Sequence, residues 1–378
     1  MSPQQDPSPS IQRRALLAAL GAVPLALAGC AGAGRQDAPQ AVQQGAQQGA
    51  QRAAHQGTQQ AAQQRARSGT ASQLAPVRVK VFPGAQNLAH FAALRQGFYE
   101  AQGIQVDLRF TQNSVELRND LAQGAVDLVH TAVDNAVAMR TAGGHDVVIL
   151  CGGDNSMNEL FVQPDVASIE ALRGRTLIVD APNTAYALQA RKILKIHGLR
   201  DGDYQVRQVG GTFQRIKTMQ KDRSASASML NPPFSLEASG SGLRSMGRVA
   251  DLLGPYQGTT AFAMRTWVDA NGEVLSRYLA GYIQGLRWAR SPANRDAAVA
   301  LLAEHLKLAP ALAQGTYQAL VDPHYGLAPD ARFDPAGYAN VLSLRAELEG
   351  QWNGTPPPST YGVDLQWHAA ALRRVDGA

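Results

Sequence analysis

Cysteine is nearly absent: the 378 residues contain only Cys30 and Cys151. Two isolated thiols supply neither a disulfide framework nor a cysteine-rich metal site. Charge of one sign is scarce as well. The formal net charge is +5, and six arginines before residue 77 (Arg13, Arg14, Arg35, Arg52, Arg65 and Arg67) face only two acids, Asp6 and Asp37. The remaining chain carries 29 basic against 28 acidic residues, so no strongly basic domain offers a nucleic-acid groove. Long hydrophobic runs are missing too; only residues 15–28 approach membrane character, and 14 residues are too few to span a bilayer comfortably. There is no Walker A sequence, no Gly-x-Ser-x-Gly and no His-Glu-x-x-His, and the histidines lack metal-ligand spacing. Ser239-Gly240-Ser241-Gly242 has no phosphate-loop lysine and reads as a surface turn. Cys151 ends an apolar run and reads as a packing residue rather than a nucleophile. What is present, 45% hydrophobic and 17% charged residues, is globular composition at a length sufficient for two or three domains.

Arg13 and Arg14 precede the apolar run, which closes in Leu27-Ala28-Gly29-Cys30. This is the arrangement of an export signal, and the tetrapeptide resembles the lipobox of bacterial lipoproteins. Residues 1–29 are thus expected to be a signal peptide and Cys30 the lipidated first residue, anchoring an extracytoplasmic, periplasmic-type protein to a bacterial membrane. The paired arginines leave both Sec and twin-arginine export open. Residues 30–76 contain the lipidated cysteine and a Gln/Ala/Gly tract with 11 glutamines between Gln40 and Gln64. It lacks the apolar side chains of a core and reads as a flexible tether with a span of roughly 35 to 40 Å.

From residue 77 short apolar runs alternate with amphipathic stretches. Strands are predicted at 77–81, 104–110, 126–130 and 147–151, with helices at 88–102, 114–123 and 135–141. A second series follows: a short helix begun by Ser168, strands at 176–180, 204–209 and 226–230, and helices at 185–197 and 213–221. Such alternation predicts parallel sheets in two α/β lobes. The chain after Trp267 reads as helical, with a clear apolar face on 274–290.

Asn87-Leu88-Ala89-His90, then Gly97-Phe98-Tyr99 and Gly103-Ile104, resemble the opening of the nitrate, sulfonate, taurine and thiamine-pyrimidine binding-protein family. Leu121 with Gly124, Val126 and Asp127, the block from Ser168 to Val179, and Leu194 with Gly198-Leu199 and Asp203-Tyr204 resemble later passages of that family in the expected order. The resemblance extends over 77 to about 290. It implies a type II periplasmic binding fold: two α/β lobes around a ligand cleft, with a helical C-terminal part. Lobe one is expected to comprise 77–157 and 258–378, lobe two 158–257, with strands near 159–163 and 258–264 crossing between them and the C-terminal helices packed mainly on lobe one.

In open α/β sheets solutes collect beyond the carboxyl ends of the strands, where helix N-termini offer free N–H groups. The loops in question are 83–88, 111–114, 131–135 and 152–156 in one lobe, and 181–186, 210–215 and 230–234 in the other. They supply the candidate ligand contacts Asn87, Asp134, Asn135, Asp154, Asn155, Thr184, Tyr186, Thr212, Arg215, Asn231 and Phe234. Several have an equally good structural use. Asp134, Asn135 and Thr184 stand where helices begin and can serve as caps. Asp154-Asn155-Ser156 has the composition of a turn. Phe234 can stack on a planar solute or pack beneath its lobe. Arg215, the only basic residue in these loops, can clamp an anion or sit on a helix surface. Two acids against one arginine tilt the cleft towards an amine or nitrogen heterocycle.

The resemblance implies a non-enzymatic receptor that hands a small solute to an ABC permease and ATPase, with no cofactor, no metal and no nucleic acid, and acting as a monomer. Two alternatives stand beside it. The family includes a thiamine-pyrimidine synthase, but that branch carries a cysteine-rich iron-binding motif, whereas Cys151 alone is left here after lipidation. A solute sensor for a membrane partner is the other.

Overall fold

The computed structural model describes residues 74–377. The export signal, Cys30 and the Gln-rich tether up to residue 73 lie outside the described residues, and Ala75 and Pro76, expected to end the tether, already belong to the first strand. The first series runs β1 (Ala75–Val81), α1 (Leu88–Arg95), α2 (Phe98–Ala101), β2 (Ile104–Phe110), α3 (Ser114–Ala122), β3 (Leu128–Ala132), α4 (Val133–Thr141) and β4 (Val147–Gly152). The stretch read as one helix over 88–102 is two, because Gly97 adopts a left-handed conformation, φ 71°, and ends the first.

After a crossing come β5 (Glu159–Val162), β6 (Thr176–Val179), α5 (Ala185–Ile196), β7 (Gln205–Gln208), α6 (Thr212–Lys221), β8 (Ala225–Leu230), α7 (Phe234–Gly240), β9 (Arg244–Arg248) and α8 (Val249–Leu253). The helix expected after Ser168 is only a 3-10 turn, Glu170–Leu172. A second crossing leads to β10 (Thr259–Met264) and then to α9 (Arg265–Arg290), α10 (Arg295–Leu306), α11 (Pro310–Val321), α12 (Pro335–Glu349) and α13 (Gln366–Asp376).

Two five-stranded sheets result, in the orders β2-β1-β3-β10-β4 and β7-β6-β8-β5-β9. Neither is wholly parallel, contrary to the alternation rule. β10 runs antiparallel to β3 and β4, and β5 antiparallel to β8 and β9. The reason is direction of entry. A strand arriving from the other lobe enters at the cleft, so Thr259 at the start of β10 pairs with Ala132 at the end of β3.

In the first lobe α9 lays Leu275, Tyr278, Leu279, Ile283 and Leu286 into a core shared with β1 and α1. The helices approach closely at Gly285, where a β-carbon would stand 2.3 Å from the carbonyl oxygen of Ala89. The second apolar cluster does not respect the lobes. It joins Val129, Val137 and Ile149 to Leu160, Leu177 and Leu188, with Tyr338, Val341 and Leu342 of α12 among them. Thus not every C-terminal helix belongs to the first lobe. α12 reaches over to α5, and its Glu349 pairs with Arg191 while its Glu347 pairs with Lys192 at 2.6 Å and Lys195 at 2.9 Å.

Candidate functional site

Strand carboxyl ends of the two sheets face each other, and the chain passes between them at 153–158 and 254–258. The two passages are tied together. Asp154 accepts at its backbone oxygen from Gly258 N at 2.9 Å, and at its carboxylate from Thr259 Oγ1 at 2.5 Å and Ser156 N at 2.8 Å. The last bond holds Ser156 in the left-handed region, φ 65°. Glycine is required at 258, since a β-carbon there would stand 2.0 Å from Asp154 Oδ1.

Beside this tie lies a cavity of about 20 Å³, room for little more than one water. Gln86, Asp154, Met157, Asn158, Tyr186, Gln189, Asn231 and Thr259 contribute to its wall, together with Ala132, Ala185 and Gly258. Of the sequence candidates, Asp154, Tyr186 and Asn231 are therefore brought together here. Burial pushes the Asp154 carboxyl above its usual range, against the pull of the Thr259 hydroxyl and nearby N–H groups. Burial likewise raises the Tyr186 phenol, opposed by the charge of Arg215. Asn231 Oδ1 and Gln86 Oε1 are buried without a hydrogen-bond partner.

The other candidates are occupied elsewhere. Asn87 donates to Phe82 O at 2.7 Å and shapes its own loop. Asp134 is fully buried, bonded by Arg345 Nη1 at 3.0 Å and by Tyr256 OH at 2.8 Å. Burial raises its pKa while the Arg345 charge opposes that rise. Asn135 accepts from Arg118 Nη1 at 3.2 Å and faces Ser114 and Thr131. Asn155 donates to His324 O at 3.2 Å. Thr184 turns its hydroxyl to Ala181 O at 2.9 Å and leaves α5 without a side-chain cap. Phe234 packs against the small apolar cluster around Phe161 and Ile178.

Arg215 is neither an anion clamp nor a surface residue. It is fully buried, with Nε on Ser228 Oγ at 3.0 Å, Nη1 on Gly210 O at 2.6 Å, and Nη2 on Thr212 Oγ1 at 3.1 Å and Met229 O at 3.0 Å. Its guanidinium also lies 4.6 Å from the centre of the Tyr186 ring, so Thr212 and Tyr186 are held by it. Desolvation lowers the Arg215 pKa.

The cleft mouth is shut by direct contacts. Ser114, at the start of α3, bonds Asp180 of the opposite lobe through its hydroxyl and through its N–H at 3.3 Å. Gly211 N donates to Gln112 O at 3.2 Å. Reasoning from loops overlooked Gln86, Met157, Asn158, Gln189 and Thr259. Gln189 had a signal: it stands on the apolar face of α5 between Leu188 and Ile193, fully buried, linked to Asn158 at 2.8 Å and Ser156 at 3.2 Å.

A family model described as NMT1/THI5 like matches residues 85–294. Similar solved structures include a protein of Bordetella bronchiseptica RB50, 18% identical with a TM-score of 0.70, covering 80% of this chain and 98% of that one. The nitrate-binding protein NrtA of Synechocystis PCC 6803 is 13% identical with a TM-score of 0.68, covering 81% and 90% of the two chains. The alkanesulfonate-binding protein SsuA of Xanthomonas axonopodis pv. citri, bound to MOPS, is 14% identical with a TM-score of 0.64, covering 78% and 100%. No curated protein matches in sequence.

Proposed function

Because the chain belongs to the NMT1/THI5-like family, we propose that it is the extracytoplasmic solute-binding component of an ABC importer, capturing a small organic solute between its lobes and delivering it to a permease. The fold is that of the periplasmic solute-binding proteins of ABC import. The observation that carries the reading is the cavity at the carboxyl ends of two separate sheets, beside paired crossings where a few residues can absorb a hinge motion. The protein holds and releases its solute unchanged.

A thermal-shift screen of a solute library tests this. A solute present at a hundred times its Kd stabilises the closed form by about 2.7 kcal/mol, and its mass after release is expected to equal its mass before binding. Chemical conversion of the hit would sink the receptor reading in favour of the synthase-like enzyme. Permease and ATPase genes beside this one separate import from solute sensing.

Anchoring is proposed through Cys30. Among the described residues no helix is long and apolar enough to cross a membrane. Acyl chains contribute about 0.8 kcal/mol per buried methylene, and two signals give stable attachment. Cys30→Ser is expected to move the protein from the membrane to the soluble fraction; a variant that still sediments with membranes contradicts lipidation.

A further inference from the structure

The wall of the cavity carries a charge that nothing nearby balances. Asp154 is 4% exposed, and its carboxylate meets a hydroxyl and an N–H but, among the described residues, no cation within ion-pair distance. Of the other enclosed cleft carboxylates, Asp134 has Arg345, and Asp180 is held by the hydroxyl and N–H of Ser114. A buried carboxylate without a counter-charge is unfavourable, and a donor or cation supplied by a solute relieves it. Asn231, 7% exposed, adds an unpartnered Oδ1 to the same wall, and Gln86 adds an unpartnered Oε1. Amides can turn either end to a solute, whereas the carboxylate cannot, so Asp154 sets the sign.

Helix N-termini bring donors to the cavity: Ala132, the N-cap of α4, lies in the wall, but Val133 N is taken by Gly258 O at 2.9 Å. Ala185 and Tyr186 bring the first turn of α5 into the wall, and no side chain caps that helix, so its N–H groups are free to meet an acceptor. Two other sources of positive potential are already used. Arg215 spends its fork on carbonyl and hydroxyl oxygens, and the N-terminus of α3 is taken by Asp180.

Resting on the solute-binding reading, we propose that the cleft, once its lobes part to enlarge the one-water cavity of the closed form, selects a small solute presenting a protonated or N–H-bearing nitrogen to Asp154 and Asn231 and an acceptor group to the N-terminus of α5. A simple oxyanion lacking such a nitrogen satisfies only half of this wall.

Matched probes differing by one amino group test the assignment: β-alanine against propionate and 4-aminopyrimidine against pyrimidine, with nitrate and methanesulfonate as plain oxyanions, titrated calorimetrically into the full mature chain. The amino member of at least one pair is expected to bind at least tenfold more tightly than its partner. Asp154→Asn is expected to erase that preference. Because Asp154 also ties the crossings, Asn231→Ala serves as the second variant, with fivefold or greater weakening of the amino probe and an unchanged unfolding midpoint. Tighter binding of propionate, nitrate or methanesulfonate overturns the proposal and leaves the receptor reading standing. So does silence of both amino probes while other solutes of the library bind, or an amino preference that survives in both variants. A chain that binds no solute of any class removes the receptor reading as well.

Discussion

Replacing Arg345 by methionine is expected to lower the stability of the folded chain by about 3–5 kcal/mol, the loss that follows when one member of a buried ion pair is removed. The pair joins α12 to α4: Arg345 and Asp134 are both fully buried, with Nη1 and Oδ1 3.0 Å apart. The same Nη1 lies 3.2 Å from Asn183 O in the loop before α5, so one guanidinium touches both lobes. Without it Asp134 keeps Tyr256 OH but no cation. Its carboxyl then titrates still higher in the folded state than in the unfolded chain, so the folded variant gains protons as pH falls. The deficit relative to the parent should therefore shrink from pH 8 towards pH 5. Denaturant unfolding checks both points. Asp134→Asn combined with Arg345→Met should recover part of the loss, because it removes the stranded charge. A single-variant loss below about 1 kcal/mol would show that the pair contributes no more than a surface contact.

Acidification is expected to destabilise the parent between pH 6.5 and about 3 through two buried histidines. His90 on α1 and His130 on β3 meet edge to face with ring centres 4.5 Å apart. Their other contacts are tyrosines: His90 Nδ1 is 2.7 Å from Tyr99 OH, and His130 Nε2 is 2.9 Å from Tyr278 OH. Burial pushes the His90 pKa down to about 3 and that of His130 well below its ordinary 6.5. The groups facing them, Tyr99, Tyr278 and Tyr282, are raised by the same burial and stay neutral throughout this range.

The sign follows from proton uptake. The unfolded chain binds protons at these imidazoles below pH 6.5 and the folded chain does not, so stability falls as pH falls, by about 2 kcal/mol per histidine at pH 5. Asp134 and Asp154, whose carboxyls are raised, act oppositely and closer to the carboxylate range. His90→Gln keeps a polar partner for Tyr99 without the titration. The fall in unfolding free energy from pH 7.5 to pH 5 should be visibly smaller in that variant. An equal fall in variant and parent would remove His90 as the cause.

The two-lobe α/β plan was legible because it is written locally. Strand runs such as Val77 to Val81, the helix signals around Ala185 and the glycines that end helices act over a few residues, and hydrophobic periodicity reports them directly. The loops at the strand ends were legible for the same reason, and Asp154, Tyr186 and Asn231 came from them. Sequence alone thus determined the class of fold, the order of most of its strands and helices and the end of each sheet at which a cavity lies, while β9 and α8 went unread.

What only the tertiary structure decided depends on contacts between residues far apart in the chain. The antiparallel course of β5 and β10 follows from where each strand enters its sheet, which no local pattern records. Asp134 could be assigned to capping or to a ligand until Arg345, 211 residues away, claimed it. Arg215 carries the same charge whether it faces an anion or is folded inward; its four protein oxygens made the choice. Gln86, Gln189 and Thr259 joined the cavity because α5 and the crossings converge there. Polar side chains reach out to whatever the packing brings within about 3 Å, so their partners are a property of the assembled lobes, while the period of the apolar residues is a property of the chain.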